Sequence, residues 1–216
     1  MSTLINNPSS IDKMSIVLRY ATKIGFSPDS SIVLRVLKLV RDKGVAVSHA
    51  IAEMLLCKYL MGMGYSCEIE YTINNTKCDV YAKRGPVDEC IEIFYYAVPL
   101  NSIDDWTNYI MLTHLRKLIQ MLKSNVYFIS LAYPAGLIPL IPPALLSATS
   151  KDCLAKIMMN YGLREFEDIE EIRSIPIISH IYIFDLSKAK VRSIAYDEAK
   201  MLVLLYNSII DLFLDG

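Results

Sequence analysis

Three short strand-like segments in close succession are the feature of this sequence that most restricts its fold. Residues 65–73 (YSCEIEYTI) and 77–83 (KCDVYAK) alternate between apolar and polar side chains, and residues 90–98 (CIEIFYYAV) are almost continuously apolar. Asn74–Asn75 and residues 84–89 (RGPVDE) lie between them and have the composition of tight turns. Because strands joined by tight turns run in opposite directions, the sequence predicts an antiparallel three-stranded meander.

Helical segments are predicted on both sides of this meander. We expect a helix capped by Ser48 to run through residues 49–64, and an amphipathic helix to run from about residue 104 to residue 123. The periodicity of the second helix predicts that Trp106 faces inward and that Lys117 faces outward.

The rest of the chain predicts two more strands and two more helices. An apolar strand is expected at residues 126–132, a helix near 151–161, a fifth strand within 179–187 and a final helix at 197–214. The fold class that follows is α/β, with a mixed central sheet in αβββαβ order flanked by helices.

The first part of the chain is predicted to be a separate helical extension. Residues 1–44 contain two helical patterns joined by a turn in which Ser27 or Asp29 would cap the second helix, and residues 45–216 would form the core domain. We interpret the two helices as a lid over the core, with half of a helix-turn-helix as the alternative.

The charge of the chain restricts its partners. The formal net charge of −1 removes any overall electrostatic attraction to nucleic acid. Residues 1–44 nevertheless carry seven basic and three acidic side chains. They form either a solvated face or a basic arm for phosphates.

Two carboxylates lie in the second and third strands. Strand alternation predicts that one face of the second strand carries Lys77, Asp79, Tyr81 and Lys83. If the register places Asp79 beside Glu92, the two carboxylates repel unless a cation joins them or one is protonated. Mg²⁺ binds one or two carboxylates together with waters and phosphate oxygens, so Asp79 and Glu92 are candidate metal ligands.

The order of these elements resembles the PD-(D/E)xK nuclease superfamily, especially its Holliday-junction-resolvase and RecB-like branches. The resemblance covers about residues 48–133 and consists of AEMLLCKYLMGMGYSCEIEYTI, CDVYAK and CIEIFYY. It implies a restriction-endonuclease-like core in which Glu53 matches the helix acid, Asp79 the metal-binding aspartate and Glu92 the acid of the ExK element. The family holds one or two divalent cations with these acids. The resemblance therefore implies Mg²⁺ or Mn²⁺ as cofactor and DNA as partner.

One residue departs from the family pattern. Phe94 stands where the resemblance places the ExK lysine, which helps to activate water and stabilises the charged transition state. A phenyl ring supplies neither a proton nor a positive charge. Some members of the superfamily relocate this lysine, and the candidates here are Lys77, Lys83 and Lys117, among which the sequence does not choose.

Glu92 is expected to have a partner or a functional role, and the histidines suggest no catalytic site of their own. An unpaired carboxylate in a strand of Ile, Phe and Tyr would be costly to bury. His49, His114 and His180 are dispersed in the chain, so no histidine-based catalytic site is predicted, and His49 is interpreted as structural.

The start of the chain, its cysteines and its apolar segments indicate where in the cell the protein is found. No signal-like sequence begins the chain, so an intracellular, cytoplasmic protein is predicted. Cys67, Cys78 and Cys90 lie in neighbouring predicted strands, where a disulfide is conceivable. Residues 124–150 lack charge, but four prolines interrupt them, so no membrane span is predicted.

Two functions remain open at this point. The first is a metal-dependent DNA endonuclease, with Glu53 supporting Asp79 and Glu92 and with a displaced lysine. The second is a catalytically inactive relative that acts as a DNA-binding or structural dimer. A final helix that is apolar on more than one side favours a homodimer.

Overall fold

The structure is a computed structural model, and it describes residues 9–95, 105–136, 141, 145–146, 150–163 and 178–214. The helices are α1 (Ser10–Lys23), α2 (Ser31–Asp42), α3 (Val47–Gly62), α4 (Trp106–Lys123), α5 (Lys151–Asn160) and α6 (Tyr196–Leu214). The strands are β1 (Ser66–Ile73), β2 (Thr76–Arg84), β3 (Val87–Ile93), β4 (Phe128–Pro134), β5 (His180–Asp185) and β6 (Lys190–Ala195). The predicted α/β class is confirmed.

The six strands form one mixed sheet in the order β1-β2-β3-β4-β5-β6. Strands β1, β2 and β3 pair antiparallel, as the meander prediction required. Strand β4 lies parallel to both β3 and β5, and β6 returns antiparallel to β5. The carboxyl ends of β3, β4 and β5 therefore lie at the same edge of the sheet.

The turn between β1 and β2 has the chemistry that its sequence predicts. Asn74 and Asn75 both have positive φ, at 46° and 63°. Ile73 pairs with Thr76 across them, which makes a two-residue hairpin turn. Two positive φ values are typical of a type I′ turn, and asparagine tolerates them better than most residues.

Strand β6 was not predicted. Its sequence, KVRSIA, is half polar, and it forms the edge of the sheet, paired with β5 from Asp185–Lys190 to His180–Ala195. The turn before it contains Ala189 at a φ of 51°. Alanine is not among the residues that mark a tight turn in a sequence.

Helices α1, α2 and α3 cover one face of the sheet. Their buried side chains share a core with β1, β2, β3 and β5, and Val17, Val33, Val36 and Leu56 in it are fully buried. The lid interpretation is consistent with this packing.

The predicted caps of α2 and α3 are wrong. Ser30, not Ser27 or Asp29, caps α2, because its side chain accepts a hydrogen bond from the Val33 amide, while Ser27 donates to Asp29. Helix α3 begins two residues earlier than a Ser48 cap would allow, and its first residue is preceded by Ala46, which makes no side-chain cap.

Helices α4, α5 and α6 contribute to the core on the opposite face. Leu115, Leu118, Leu154, Ala199 and Val203 are buried there beside β3, β4 and β5. Trp106, predicted to face inward, is 46% exposed at the first residue of α4. None of the helices in the described parts of the chain combines the length and the apolar character that a membrane crossing requires.

A disulfide joins Cys78 of β2 to Cys90 of β3, with a Cα–Cα distance of 5.4 Å. Both residues are fully buried on the α4 side of the sheet. The bond therefore links the second and third strands of the meander beside Asp79. Residues 165–171, which carry five acidic side chains, lie outside the described residues.

Candidate metal centre

A backbone distortion turns Glu70 of β1 towards α3. Ile69 packs in the core beneath α1–α3, whereas Tyr71, two residues on, packs against the core beneath α4. Strict alternation would place both on the same face. The change of face occurs at Glu70, whose φ is 52°, a conformation that costs a non-glycine residue about 1–2 kcal/mol.

Strand β2 changes face at the position opposite Glu70. Cys78 and Tyr81 both pack on the α4 side, and Val80 packs on the α3 side. Asp79 also points to α3, where it meets His49. The prediction that Tyr81 shares a face with Asp79 is therefore wrong, because two consecutive residues of β2 face α3.

Helix α3 supplies His49 and Glu53, which lie one helical turn apart. The i, i+4 spacing places both side chains on the same side of the helix. His49 Nε2 lies 3.5 Å from Glu53 Oε1 and 3.6 Å from Asp79 Oδ2. The imidazole therefore links the helix to β2.

Four side chains converge in this hollow. One donor atom from each lies within 4.8 Å of all the others, and they belong to His49, Glu53, Glu70 and Asp79. Two ligands on opposite sides of one Mg²⁺ would be about 4.2 Å apart, because each bond is about 2.1 Å long. The donors are thus spaced to fit around one cation after only a small adjustment, and the cluster could hold a metal ion.

Asp79 sits where β2 and β3 separate. The last backbone pair of these strands is Val80–Ile91, and beyond it Asp79 Oδ2 accepts a hydrogen bond of 2.8 Å from the Ile93 amide. Where the two strands separate, the Asp79 carboxylate accepts the hydrogen bond that a main-chain carbonyl of β2 would otherwise accept. Its position is therefore fixed by the sheet itself.

Glu53 is the acid of the cluster whose charged form a bound cation would stabilise most. Its side chain has no exposed surface, and neither oxygen accepts a hydrogen bond within the described residues. Burial, and then the charge of Asp79, raise the pKa of Glu53 to about 9. In the metal-free protein this carboxyl is therefore protonated at neutral pH, and a bound cation would replace that proton.

Glu92 pairs with Lys117 of α4. The Lys117 Nζ lies 2.6 Å from Glu92 Oε1, which confirms that this buried acid has a partner. Burial and the charge of Asp79 raise the pKa of Glu92 to about 7, although Lys117 opposes the shift. Burial lowers the pKa of Lys117, but Glu92 outweighs this and leaves the Lys117 pKa above its usual value.

An ExK lysine was expected at the position of Phe94, and the structure has an aromatic stack there. Its ring centroid lies 4.2 Å from that of His114, with the planes 6° apart, and 5.6 Å from that of Tyr133. Burial lowers the pKa of His114 to about 4, so this imidazole is neutral. Its Nδ1 hydrogen is donated to the Ile110 carbonyl, and Nε2 accepts from the Tyr133 hydroxyl.

The three candidate lysines lie in different places. Lys77 pairs with Glu70 at the rim of the cluster, and Lys117 pairs with Glu92. Lys83 is exposed, and because Val80 and Ala82 face α3, strand alternation directs it away from Asp79. Lys117, predicted to face outward, is thus the candidate lysine that pairs with Glu92.

The sequence patterns assigned no binding role to His49 or Glu70. The spacing of four residues between His49 and Glu53 on one helix was the signal that could have identified the histidine. No sequence signal identifies Glu70, because its orientation depends on a positive φ at a residue that rarely adopts one.

Comparison with known proteins finds no family model, no curated protein and no solved structure that matches the chain. The geometry of the site therefore carries the functional conclusion.

Proposed function

We propose that the chain is a divalent-metal-dependent deoxyribonuclease of the PD-(D/E)xK type, with a restriction-endonuclease-like core, in which Lys117 replaces the lysine missing at Phe94. The observation that carries this proposal is the convergence of His49, Glu53, Glu70 and Asp79 beside the Glu92–Lys117 pair. The carboxyl group of Glu53 is buried without a hydrogen-bond partner among the described residues, and Asp79 is held by a main-chain amide where two strands separate. Both are costly features for a site without a ligand.

The residues of the cluster fit a cation with mixed oxygen and nitrogen donors. His49, Glu53 and Asp79 would hold the cation, and Glu70 belongs to the same cluster. Glu92 lies close enough that the charges of Asp79 and His49 affect the pKa of Glu92. An imidazole donor favours Mn²⁺ over Mg²⁺, because Mg²⁺ is bound almost entirely through oxygen. A divalent cation there would polarise a phosphodiester oxygen and acidify a water molecule.

Lys117 supplies the positive charge that the strand lacks. Its ammonium is held at 2.6 Å from Glu92, on the helix that packs over Phe94. A fixed cation beside a phosphate that gains negative charge lowers the barrier by a few kcal/mol, or about 10²–10³-fold in rate. The role of the ExK lysine is thereby transferred from the strand to α4.

The test is cleavage of branched, duplex and single-stranded DNA in Mn²⁺ and in Mg²⁺. Asp79→Asn should abolish cleavage while the folded structure is retained, because the amide oxygen still accepts from the Ile93 amide. Asp88→Asn is the matched control, since Asp88 bonds Tyr81 and the Tyr127 amide outside the cluster. Absence of cleavage by the wild-type protein in either metal contradicts the proposal.

A catalytically inactive structural dimer is the second candidate. The observation that favours it is the apolar surface of α6, where Met201, Leu202, Leu204 and Leu205 are 42–59% exposed. Sedimentation at micromolar concentration separates the two candidates when combined with the cleavage assay. A dimer that neither cuts DNA nor binds Mn²⁺ supports the second function.

A further inference from the structure

Basic side chains surround the turn between β5 and β6 at residues 186–189. Two concavities adjoin Val191, with volumes of about 240 and 340 Å³. The first is lined by Lys23 and Lys58, and the second by Lys188, Lys190 and Arg192. All five are exposed, and we refer to them together as the hairpin cations.

Carboxylates neutralise only two of the hairpin cations within the described residues. Lys188 Nζ lies 3.3 Å from Asp185, and Arg192 pairs with Glu198. Lys23 and Lys58 instead donate to main-chain carbonyl groups, those of Ser187 at 2.9 Å and Gly25 at 3.0 Å. Lys190 forms no ion pair with a described residue. A surplus of three positive charges therefore gathers here in a chain whose net charge is −1.

This surface lies on the same edge of the sheet as the metal centre. Strands β3 and β5 both run parallel to β4, and Glu92 is level with Ile181 through Leu131. Asp185 lies four residues beyond Ile181, so Glu92 and Asp185 are about 10 Å apart across the sheet and about 13 Å apart along it, or about 16 Å in all. In such sheets, ligands bind outside the carboxyl ends of the strands.

Tyr95 connects the two regions. Its hydroxyl donates to the Ser48 carbonyl at 3.1 Å, next to His49, and its ring centroid lies 5.6 Å from that of Phe184 in β5. Tyr20 extends the connection by donating to the Leu186 carbonyl at 3.0 Å. The partly exposed rings of Tyr95 and Tyr20 therefore lie beside the metal centre and the turn before β6, respectively.

We propose that the hairpin cations bind the phosphodiester backbone of the DNA whose scissile phosphate lies at the metal centre. This inference rests on the proposed function for the position of the cut. The separation of about 16 Å corresponds to about five nucleotides of one strand, at about 3.4 Å of rise each. Long, exposed lysine side chains without carboxylate partners suit sequence-independent binding of phosphates.

The test is the salt dependence of DNA binding in EDTA, with a labelled duplex and the corresponding single strand. The triple variant Lys23→Gln, Lys58→Gln, Lys190→Gln should bind duplex more weakly, and its plot of log K against log salt should be shallower by about 0.9 for each phosphate that is no longer neutralised. For the single strand the decrease is about 0.7 for each phosphate. The matched control is Lys38→Gln, Lys123→Gln, Lys156→Gln, which lowers the net charge equally through exposed lysines elsewhere.

The outcomes separate this inference from the proposed function. Equal slopes for the two triple variants, at unchanged melting temperature, overturn the inference even if the wild-type protein cuts DNA. No salt-dependent binding of either DNA form by the wild-type protein also overturns it. A shallower slope for the hairpin variant alone supports it, and absence of cleavage in Mn²⁺ would then count against the proposed function only.

Discussion

Lys117 of α4 places its Nζ 2.6 Å from Oε1 of Glu92 in β3, so the cation beside the third-strand acid comes from a helix rather than from the strand. Three residues earlier in α4, His114 stacks on Phe94. The same side of the helix thus packs on the aromatic ring and delivers the ammonium group. Phe94 thus packs against the same helix that supplies Lys117.

Replacing Lys117 should reduce cleavage more than it reduces stability. Lys117→Gln is expected to lower the rate about 10²–10³-fold, because the fixed positive charge is removed. The free energy of unfolding should fall by about 1–3 kcal/mol, since Glu92 keeps only a neutral partner. Single-turnover cleavage and urea denaturation measure the two effects. Arg116→Gln, an exposed neighbour on α4, is the control, and a similar rate decrease in it would contradict this role for Lys117.

The metal-free protein should lose stability as pH rises. The folded-state pKa of Glu53 is about 9, whereas an unfolded glutamate has a pKa of about 4.3. Between these values the folded state holds a proton that the unfolded chain has released, so the free energy of unfolding decreases with pH. Denaturation at a series of pH values measures the slope, and saturating Mn²⁺ should reduce it.

Glu53→Gln should flatten that dependence. The amide is neutral at every pH, so at pH 8 the metal-free variant should be more stable than the wild-type protein by up to about 5 kcal/mol, or about 1.36 kcal/mol for each pH unit above the unfolded pKa of about 4.3. The same variant should bind Mn²⁺ more weakly. Glu68→Gln, an exposed position on β1, should leave the slope unchanged. An unaltered slope in Glu53→Gln would show that this carboxyl does not carry the buried proton.

The Cys78–Cys90 disulfide should support the metal centre. It closes a loop with a sequence separation of 12, and its removal in Cys78→Ala, Cys90→Ala should cost about 2–3 kcal/mol. Mn²⁺ affinity should also fall, because Cys78 directly precedes Asp79 at the fork between the strands. Reductant should bring the wild-type protein to the behaviour of the variant and leave the variant unchanged. Equal Mn²⁺ affinity in all these states would restrict the disulfide to a stability role.

Strand alternation and turn chemistry predicted much of the fold. The meander followed from residues 65–98, whose Asn74–Asn75 turn and apolar runs leave few other pairings. The expectation that buried Glu92 needs a partner was also confirmed. These features depend on local chemistry, which a sequence displays directly.

The parts that were missed depend on tertiary packing or on unusual backbone geometry. The positive φ of Glu70 and the consecutive inward residues Asp79 and Val80 break the rule used to assign faces. Helical periodicity placed Lys117 on the outer side of α4, but its ammonium group pairs with the Glu92 carboxylate of β3. Half-polar β6 carries too weak a pattern to be recognised without its partner β5.

Pulsed electron paramagnetic resonance of Mn²⁺ bound to the protein tests the central claim most directly. We predict one bound Mn²⁺ per chain with a directly coordinated nitrogen, whose coupling disappears in His49→Asn, and loss of the bound ion itself in Asp79→Asn. Asp88→Asn should retain both the ion and the coupling. Failure of the wild-type protein to bind Mn²⁺, or a bound-ion signal that neither His49→Asn nor Asp79→Asn alters, would contradict the metal centre.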